Sequence, residues 1–433
     1  MDIKFILSIL LGKAILSATK LLNIGGGSAA PGYYALKFYP ELVTKLSKQI
    51  PKTIVITGTN GKTTTAKMLG HFISSQGLKV LRNTTGSNLE RGIASALISN
   101  FNMLTQSLNY DAAIWELDEA AFNSVALKLS PDIIVFLNVF RDQLDRYGEV
   151  DSIVAKWCKT AIKLKKSTKV FFNGDDASLI PLEKCFTGTK QTFGLSEFKI
   201  RGEKALSTKQ QKLDFEAKNI EIKGLDGTKF EVETKTGKWG VSLSIPGIYH
   251  VYDFLASFAV SQELKLAPSS IINSFKTFSP AFGRVEKFKL LNSQSNAYIF
   301  LIKNPIGATQ VFQTIKPQLK KDDRLLLILN DNFADGTDVS WIWDAGFEEL
   351  RLKNLDLRIT CSGTRAEELA LRLKYAGFNP TSITIEDNIE KAFKASQTGL
   401  NGRLFILPTY TGLLSLQKIL AHLGIKERYW KEN

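Results

Sequence analysis

Residues 53 to 65 read Thr-Ile-Val-Ile-Thr-Gly-Thr-Asn-Gly-Lys-Thr-Thr-Thr, and this stretch restricts the chain more than any other. Thr53 to Ile56 are β-branched and predict a short buried strand, after which Gly58 and Gly61 free the backbone to turn tightly into a helix. Amide groups at such a turn converge on one spot, where the helix dipole also favours negative charge, so the spot suits a triphosphate. Lys62 then reaches the β- and γ-phosphates, and the Thr63 hydroxyl is placed to ligate magnesium, a cation that takes hard oxygen ligands. The spacing is shorter than the full Walker form, whose first glycine would fall at Ile56. A strand-to-helix turn with a surface lysine is the bland alternative. The order strand, GKT, helix favours a nucleotide held by Gly58, Thr59, Asn60, Gly61, Lys62, Thr63 and Thr64.

At 433 residues the chain exceeds one compact core and predicts two or three domains. Its 44% hydrophobic and 23% charged residues are those of an ordinary globular protein. Cys158, Cys185 and Cys361 are widely spaced and predict neither a disulfide framework nor a zinc site, which points to a reducing cytoplasm. The net charge of +14 attracts anions, but no aromatic-interleaved basic block or recognition motif marks a nucleic-acid partner. Lys4, Lys13 and Lys20 interrupt the apolar N-terminus, so it is too broken to span a bilayer. It reads as an amphipathic helix packed on the main body, with contact to the inner face of a membrane as the alternative.

Beyond the turn, short apolar strands alternate with helices, as in a mostly parallel sheet whose ligands bind beyond the strand carboxyl ends. Asn83 to Asn88 should border that cleft, and Glu116, at the end of the strand Ala112 to Trp115, is the candidate magnesium carboxylate. Asp118 and Glu119 read as a solvated acidic turn. Ile133 to Asn138 delivers the charged cluster Arg141 to Glu149, and Val170 to Asn173 ends in polar residues. From 193 to 244 the alternation becomes that of antiparallel hairpins, with turns at Asp226-Gly227 and Thr236-Gly237. A second set of α/β strands follows from Ala297, with polar ends at Lys303, Asn330 and Thr409.

The string TNGKTTT resembles the ATP loop of the Mur ligases, and ELDE followed by NVFRDQLDRYGEVD is similar to the MurT-type branch of that family. The fold this implies is α/β: a central Mur ligase-like P-loop domain with a parallel sheet and a small antiparallel hairpin region, plus a C-terminal Rossmann-like α/β domain. Its expected bounds are 1–50 for a helical extension, 51–288 for the central domain (193–244 the hairpin insertion) and 289–433 for the last. ATP and magnesium are the implied ligands, with Lys62 and Glu116 catalytic. Gln143 stands where most Mur ligases carry a histidine near a second magnesium, and Lys156 falls loosely near their carbamylated lysine, though in an ordinary helical pattern. Asn173 lies in a segment resembling the family's N-A-D-D-P. His250 and Asp253 occupy the places of two asparagines that lie against adenine, and Arg284 and Lys303 resemble nucleotide-contacting residues.

MurT-type proteins usually insert a four-cysteine zinc ribbon in the hairpin region; no cysteine stands between Cys185 and Cys361, so no zinc site is expected. The segments NDNFADGTDVSWIWD and SGTRAEELALRLK resemble the MurT-type C-terminal domain. There an aspartate, here Asp338, completes the triad of a GatD-type glutamine amidotransferase partner; a turn aspartate capping a helix near Ser340 is the competing reading. The resemblance therefore implies ATP-dependent amidation of the D-glutamate carboxylate of lipid II. An amino-acid-adding Mur or folylpolyglutamate-type ligase, or a non-catalytic nucleotide-binding scaffold, remains open.

Overall fold

The computed structural model describes residues 2–21, 29–83, 87–140, 150–195, 212–278, 284–291, 295–351 and 357–426. Nine strands form the first sheet: β1 (Lys52–Thr57), β2 (Val80–Arg82), β3 (Ala112–Leu117), β4 (Ile133–Phe136), β5 (Lys169–Asn173), β6 (Lys190–Leu195), β7 (Phe215–Ile222), β8 (Thr228–Thr234) and β9 (Gly237–Leu243). Their order is β2-β3-β1-β4-β5-β6-β7-β8-β9, parallel from β2 through β7 and antiparallel for β7–β8 and β8–β9. The hairpin strands are thus not a separate insertion. They extend the main sheet, because β7 pairs with β6 and lets the hairpins add edge strands without a second core.

Both faces of the sheet are covered, and the alternation along each strand decides what goes where. In β1, Ile54 and Ile56 face the helices Lys62–Ser74 and Ile248–Glu263, while Val55 faces the opposite layer. That second layer holds the helices Ile3–Leu21, Glu90–Asn100, Phe122–Leu129 and Val150–Ala161. Its centre is aromatic: Phe136 stacks on Phe172 with ring centroids 5.4 Å apart, and Trp157 packs against Phe136 and Phe122 at 5.2 and 5.8 Å. Such pairs contribute about 0.5–1.5 kcal/mol each beyond the area they bury.

Strands β10 (Arg284–Lys289), β11 (Asn296–Phe300), β12 (Arg324–Ile328), β13 (Arg358–Ser362), β14 (Ile383–Ile385) and β15 (Leu404–Pro408) form the second sheet, ordered β10-β11-β15-β12-β13-β14. All its neighbours are parallel except β10 and β11. β10 starts before the expected boundary at 288, and its partner β11 leads directly to the first sheet's cleft.

The structure departs from the sequence reading at the cysteines. Helix Val150–Ala161 and the short helix Ile180–Cys185 pack side by side, bringing Cys158 and Cys185 to a Cα separation of 5.5 Å, paired as a disulfide. The 27-residue separation hid the pairing, since only tertiary packing closes it. Cys361 is a buried thiol in β13, and burial pushes it up to about 12. Alkylation of the unfolded, unreduced protein is expected to label one cysteine, Cys361, and all three after reduction, as read by mass spectrometry of peptides. Labelling of Cys158 before reduction would remove the bridge.

Candidate nucleotide site

The strand order reverses at β1 and β4, which opens a crevice at their carboxyl ends. The loop after β1 fills it. Gly58 and Gly61 sit at φ 141° and 89°, in the region that only glycine enters cheaply. Beside Gly61 a side chain would collide with the Asp253 carboxylate. Asn138, at the end of β4, holds the loop from the other side. Its Oδ1 accepts from Asn60 N at 2.8 Å, its Nδ2 donates to Asn60 O at 3.0 Å, and its carbonyl accepts from Thr59 N at 3.0 Å. The Thr59 hydroxyl accepts from Phe140 N at 3.0 Å.

The charged groups gather at the helix start. Thr63 Oγ1 donates to Glu116 Oε2 at 2.7 Å. Lys62 Nζ donates to the carbonyls of Gly58 and, at 3.2 Å, Thr59, and lies 3.3 Å from Glu119 Oε2. The side chains of Lys62 and Glu119 are only 11% and 4% exposed, so Glu119 is no solvated turn residue: it is a buried counter-charge to the loop lysine. Sequence reasoning missed it because the turn is covered by Trp157, thirty-eight positions on, whose indole N–H donates to Glu119 O at 2.9 Å. Asn83 fixes Glu116 in the same way, accepting from its N–H at 2.9 Å and donating to its carbonyl at 3.0 Å. It was expected at the cleft, but not as the clamp on this carboxylate.

This donor set fits magnesium. Thr63 Oγ1 and Glu116 Oε2 converge on one point, both hard oxygens, beside the place where the loop amides would hold phosphate oxygens. The buried Thr64 hydroxyl has no hydrogen-bond partner among the described residues, which leaves a polar atom for a ligand beside the loop. Gln143, the other expected metal residue, lies outside the described residues, as does the side chain of Arg284. Lys156 is exposed on the outer face of its helix.

A pocket continues from the loop between the two sheets, lined by Asn60, Gly61, Asn138, Asn173, Tyr252, Asp253, Phe300 and Lys303 among others. Asn173 lies at the end of β5 and accepts from Asp175 N at 3.0 Å. Tyr252 donates to Asp175 Oδ2 at 2.7 Å; burial holds the Asp175 carboxyl above its usual range and, reinforced by that carboxylate, pushes the Tyr252 hydroxyl well up. Asp253 lines the pocket, its Oδ1 accepting from Thr65 Oγ1 at 3.1 Å. His250 does not line it. Helical spacing turns it inward, fully buried, with Nδ1 at 3.1 Å from Asp253 Oδ2, so any contact with a base passes through Asp253.

The second sheet closes over the loop through the end of β11. Lys303 Nζ donates to Thr59 O at 3.3 Å, and Asn304 exchanges two amide hydrogen bonds with Asn60, at 3.0 and 3.2 Å. Asn304 also caps the helix Pro305–Ile315, accepting from Gly307 N at 2.8 Å. The K-N-P string signalled Lys303; the asparagine beside it carries the more specific contact. Asp338 lies in the loop that leaves the carboxyl end of β12, exposed, accepting from Ser340 N at 2.8 Å. The turn expected of the competing reading is therefore present, and it presents the carboxylate to solvent.

Residues 56–261 match the Mur ligase middle domain, and residues 301–413 match the family described as MurT ligase C-terminal. The subunit MurT of lipid II isoglutaminyl synthase (glutamine-hydrolyzing) from Staphylococcus aureus is 32% identical over 89% of this chain and 91% of its own length. The corresponding subunit from Streptococcus pneumoniae is 29% identical over 97% and 98%. The fold is also that of the MurF ligase from Thermotoga maritima, solved in complex with ADP, at a TM-score of 0.67 and 15% identity over 90% of this chain and 84% of that one. A glycine loop locked by Asn138 and a second sheet carrying the MurT-specific segments thus occur in one polypeptide, and the chain belongs to the MurT family of Mur ligase-type enzymes.

Proposed function

We propose that this chain is the ATP-dependent synthetase subunit that amidates the D-glutamate carboxylate of the lipid II stem peptide, using ammonia from a GatD-type glutaminase subunit, at the cytoplasmic face of the membrane. The observation that carries the reading is the buried pairing of Lys62 with Glu119 beside Thr63 and Glu116, in a chain whose relatives are named as lipid II isoglutaminyl synthase subunits. Three units divide the work: the helical extension 1–50, the ATP-binding unit expected over 51–288, which the structure ends before β10, and the C-terminal unit expected over 289–433, which the structure begins at β10.

Residues Gly58 to Thr64 cradle the triphosphate, with Asn173, Asp253, Arg284 and Lys303 around the nucleotide and His250 behind Asp253. Thr63 and Glu116 would hold magnesium, with Gln143 as the further ligand that the family pattern implies, and the ion would offset charge on the β- and γ-phosphates. A carboxylate oxygen of the substrate attacks the γ-phosphorus, the bond to the bridging oxygen breaks, and ADP leaves. Ammonia then attacks the acyl carbon of the acyl phosphate, inorganic phosphate leaves with the bonding electrons, and one proton passes from the nitrogen to that phosphate to give the neutral carboxamide. Lys62 releases Glu119 to meet the charge that develops on the transferring group, and Glu119 sets where the ammonium waits. Lys303 and Asn304 keep the second sheet on the loop, excluding water that would hydrolyse the acyl phosphate.

None of the three cysteines sits as a nucleophile next to a histidine in sequence, which favours an external ammonia source. Asp338 is suited to the partner's histidine: an exposed carboxylate on a pinned loop. Asp335, five residues beyond Asn330, accepts from Thr411 N at 2.7 Å, and Asn330 donates to Thr411 Oγ1 at 2.9 Å. Phe333 and Trp343 flank Asp338 with 78% and 47% of their surfaces exposed, an arrangement suited to a protein partner.

Incubation of the chain with a GatD-type glutaminase, glutamine, ATP and lipid II is expected to give stem peptide carrying a carboxamide, detected by mass spectrometry. Absence of that product while the glutaminase releases ammonia would sink the reading, and phosphate release dependent on a free amino acid would favour an amino-acid-adding ligase instead. Lys62→Ala should lower amidation by about 10²–10³-fold, the loss typical of a single group stabilising transition-state charge, with protein stability checked by thermal melting; a change under about threefold contradicts its role. Asp338→Asn is expected to lose glutamine-driven amidation by up to about 10⁴-fold, as when a triad histidine loses its orienting carboxylate, yet to retain amidation driven by ammonium salts. Unchanged use of glutamine refutes the trans role.

A further inference from the structure

The N-terminal helix Ile3–Leu21 carries its apolar residues on both sides. One side is seated: Phe5 and Ile9 are buried in the main core, Phe5 meets Phe101 edge to face at 6.1 Å, and Gly12 lies so close to helix Glu90–Asn100 that a side chain there would come 2.8 Å from Ile98. The other side faces outward. Ile3, Leu7, Leu10 and Leu21 fall on one stripe at helical spacing, from 46% to 87% exposed, with Leu11 at its edge. The amphipathic helix expected from sequence would have turned polar residues outward; here the outward face carries Ile3, Leu7, Leu10, Leu11 and Leu21, with Ala14, Ser17 and Ala18 between Leu11 and Leu21.

The second helix, Ala30–Phe38, completes the surface with exposed Tyr33, Tyr34 and Phe38, and Lys37 lies 4.7 Å over the Tyr33 ring. Aromatic rings with a wet end, beside lysines, are the side chains that settle at a lipid–water boundary. Charge complementarity selects the occupant. The two helices contain Lys4, Lys13, Lys20 and Lys37 and no aspartate or glutamate, in a chain of net charge +14. An acidic surface is what such a face attracts. The lysines also keep the helix from crossing: among the described residues no helix is long and apolar enough to span a membrane. The exposed stripe runs over 19 residues, about 28 Å at the helical rise, and is a ridge rather than a groove, which suits a yielding fluid layer better than a preformed partner.

We propose that the outer face of this helix pair is a docking surface for an anionic lipid bilayer, with helix Ile3–Leu21 lying in the plane of the headgroups and its aliphatic stripe entering the acyl boundary. Its position gives it a use. Gly32 of the second helix accepts no side chain because it abuts Arg91 O and donates its N–H to Ser95 Oγ at 2.8 Å, and that supporting helix begins at Glu90, seven positions after Asn83, which clamps Glu116 in the cleft. Docking therefore brings the cleft to the membrane. This use, delivery of a lipid-borne substrate, rests on the ligase reading; the surface itself rests on the helices.

The test is co-sedimentation of the full chain with vesicles that contain no lipid II. Binding is expected to vesicles of phosphatidylglycerol and phosphatidylcholine, to fall as salt is raised, and to be weak on phosphatidylcholine alone. The double variant Leu7→Glu, Leu10→Glu changes two exposed positions and should lower the partition coefficient by about tenfold or more, with an unaltered melting temperature and unaltered amidation of detergent-solubilised lipid II. No binding to anionic vesicles, or equal binding by the variant, overturns the proposal. So does a concentration-dependent dimer of the parent chain that the variant dissolves, since the face would then seat a second copy. Amidation in detergent is scored separately, so its failure would count against the ligase reading and leave the docking result standing.

Discussion

A lysine ammonium and two carboxylates are held within a few ångströms at the carboxyl end of a parallel sheet, and most of the polar detail around β1 exists to keep them there. Removing one partner of a buried ion pair costs about 3–5 kcal/mol, because the other charge is left uncompensated. The same penalty makes the local geometry unforgiving. Glu116 is fixed through its own backbone by Asn83, Glu119 through its carbonyl by Trp157, and the loop beneath Lys62 by the three hydrogen bonds of Asn138. Each clamp comes from a different strand end or helix, so the aromatic layer of Phe136, Phe172 and Trp157 is part of the site: it sets the height of the Trp157 indole against the Glu119 turn.

The second sheet meets this constellation through a small contact of high specificity. Asn60 and Asn304 pair amide to amide and Lys303 reaches the Thr59 carbonyl, so the end of β11 touches the very loop on which phosphate would rest. At the same carboxyl edge of the second sheet, since β11, β15 and β12 run parallel, the loop after β12 is pinned by Asp335 and Thr411 and exposes Asp338. In the proposed reaction the clamp on the phosphate loop and the carboxylate offered to the partner thus share one edge of the second sheet. The outward apolar helix adds another direction, toward lipid.

Much of this was legible in the residues. The glycine spacing of 58 and 61 declared the turn, the strand ends declared Glu116 and Lys303, and local alternation declared the hairpins. What escaped was whatever only packing decides. Glu119 looks like a surface acid until Trp157 covers it; Asn304 looks like a helix cap until it finds Asn60. His250 was expected at the base because its position in the motif suggested it, yet the helix turns it inward and leaves Asp253 at the wall. Cys158 and Cys185 meet only because two helices pack. Pattern gives the period of an element and its polar ends, but which neighbour covers a turn is a property of the whole fold.

In the proposed reaction the γ-phosphoryl group passes from the loop to a carboxylate, and that transfer leaves a mark in the oxygen atoms. Lipid II with its D-glutamate carboxylate labelled by heavy oxygen, turned over by the chain with ATP and ammonia, is predicted to yield inorganic phosphate carrying one heavy oxygen and a carboxamide retaining the other. Phosphate free of the label would mean that water, not the carboxylate, receives the phosphoryl group, and would contradict the assignment of the cleft.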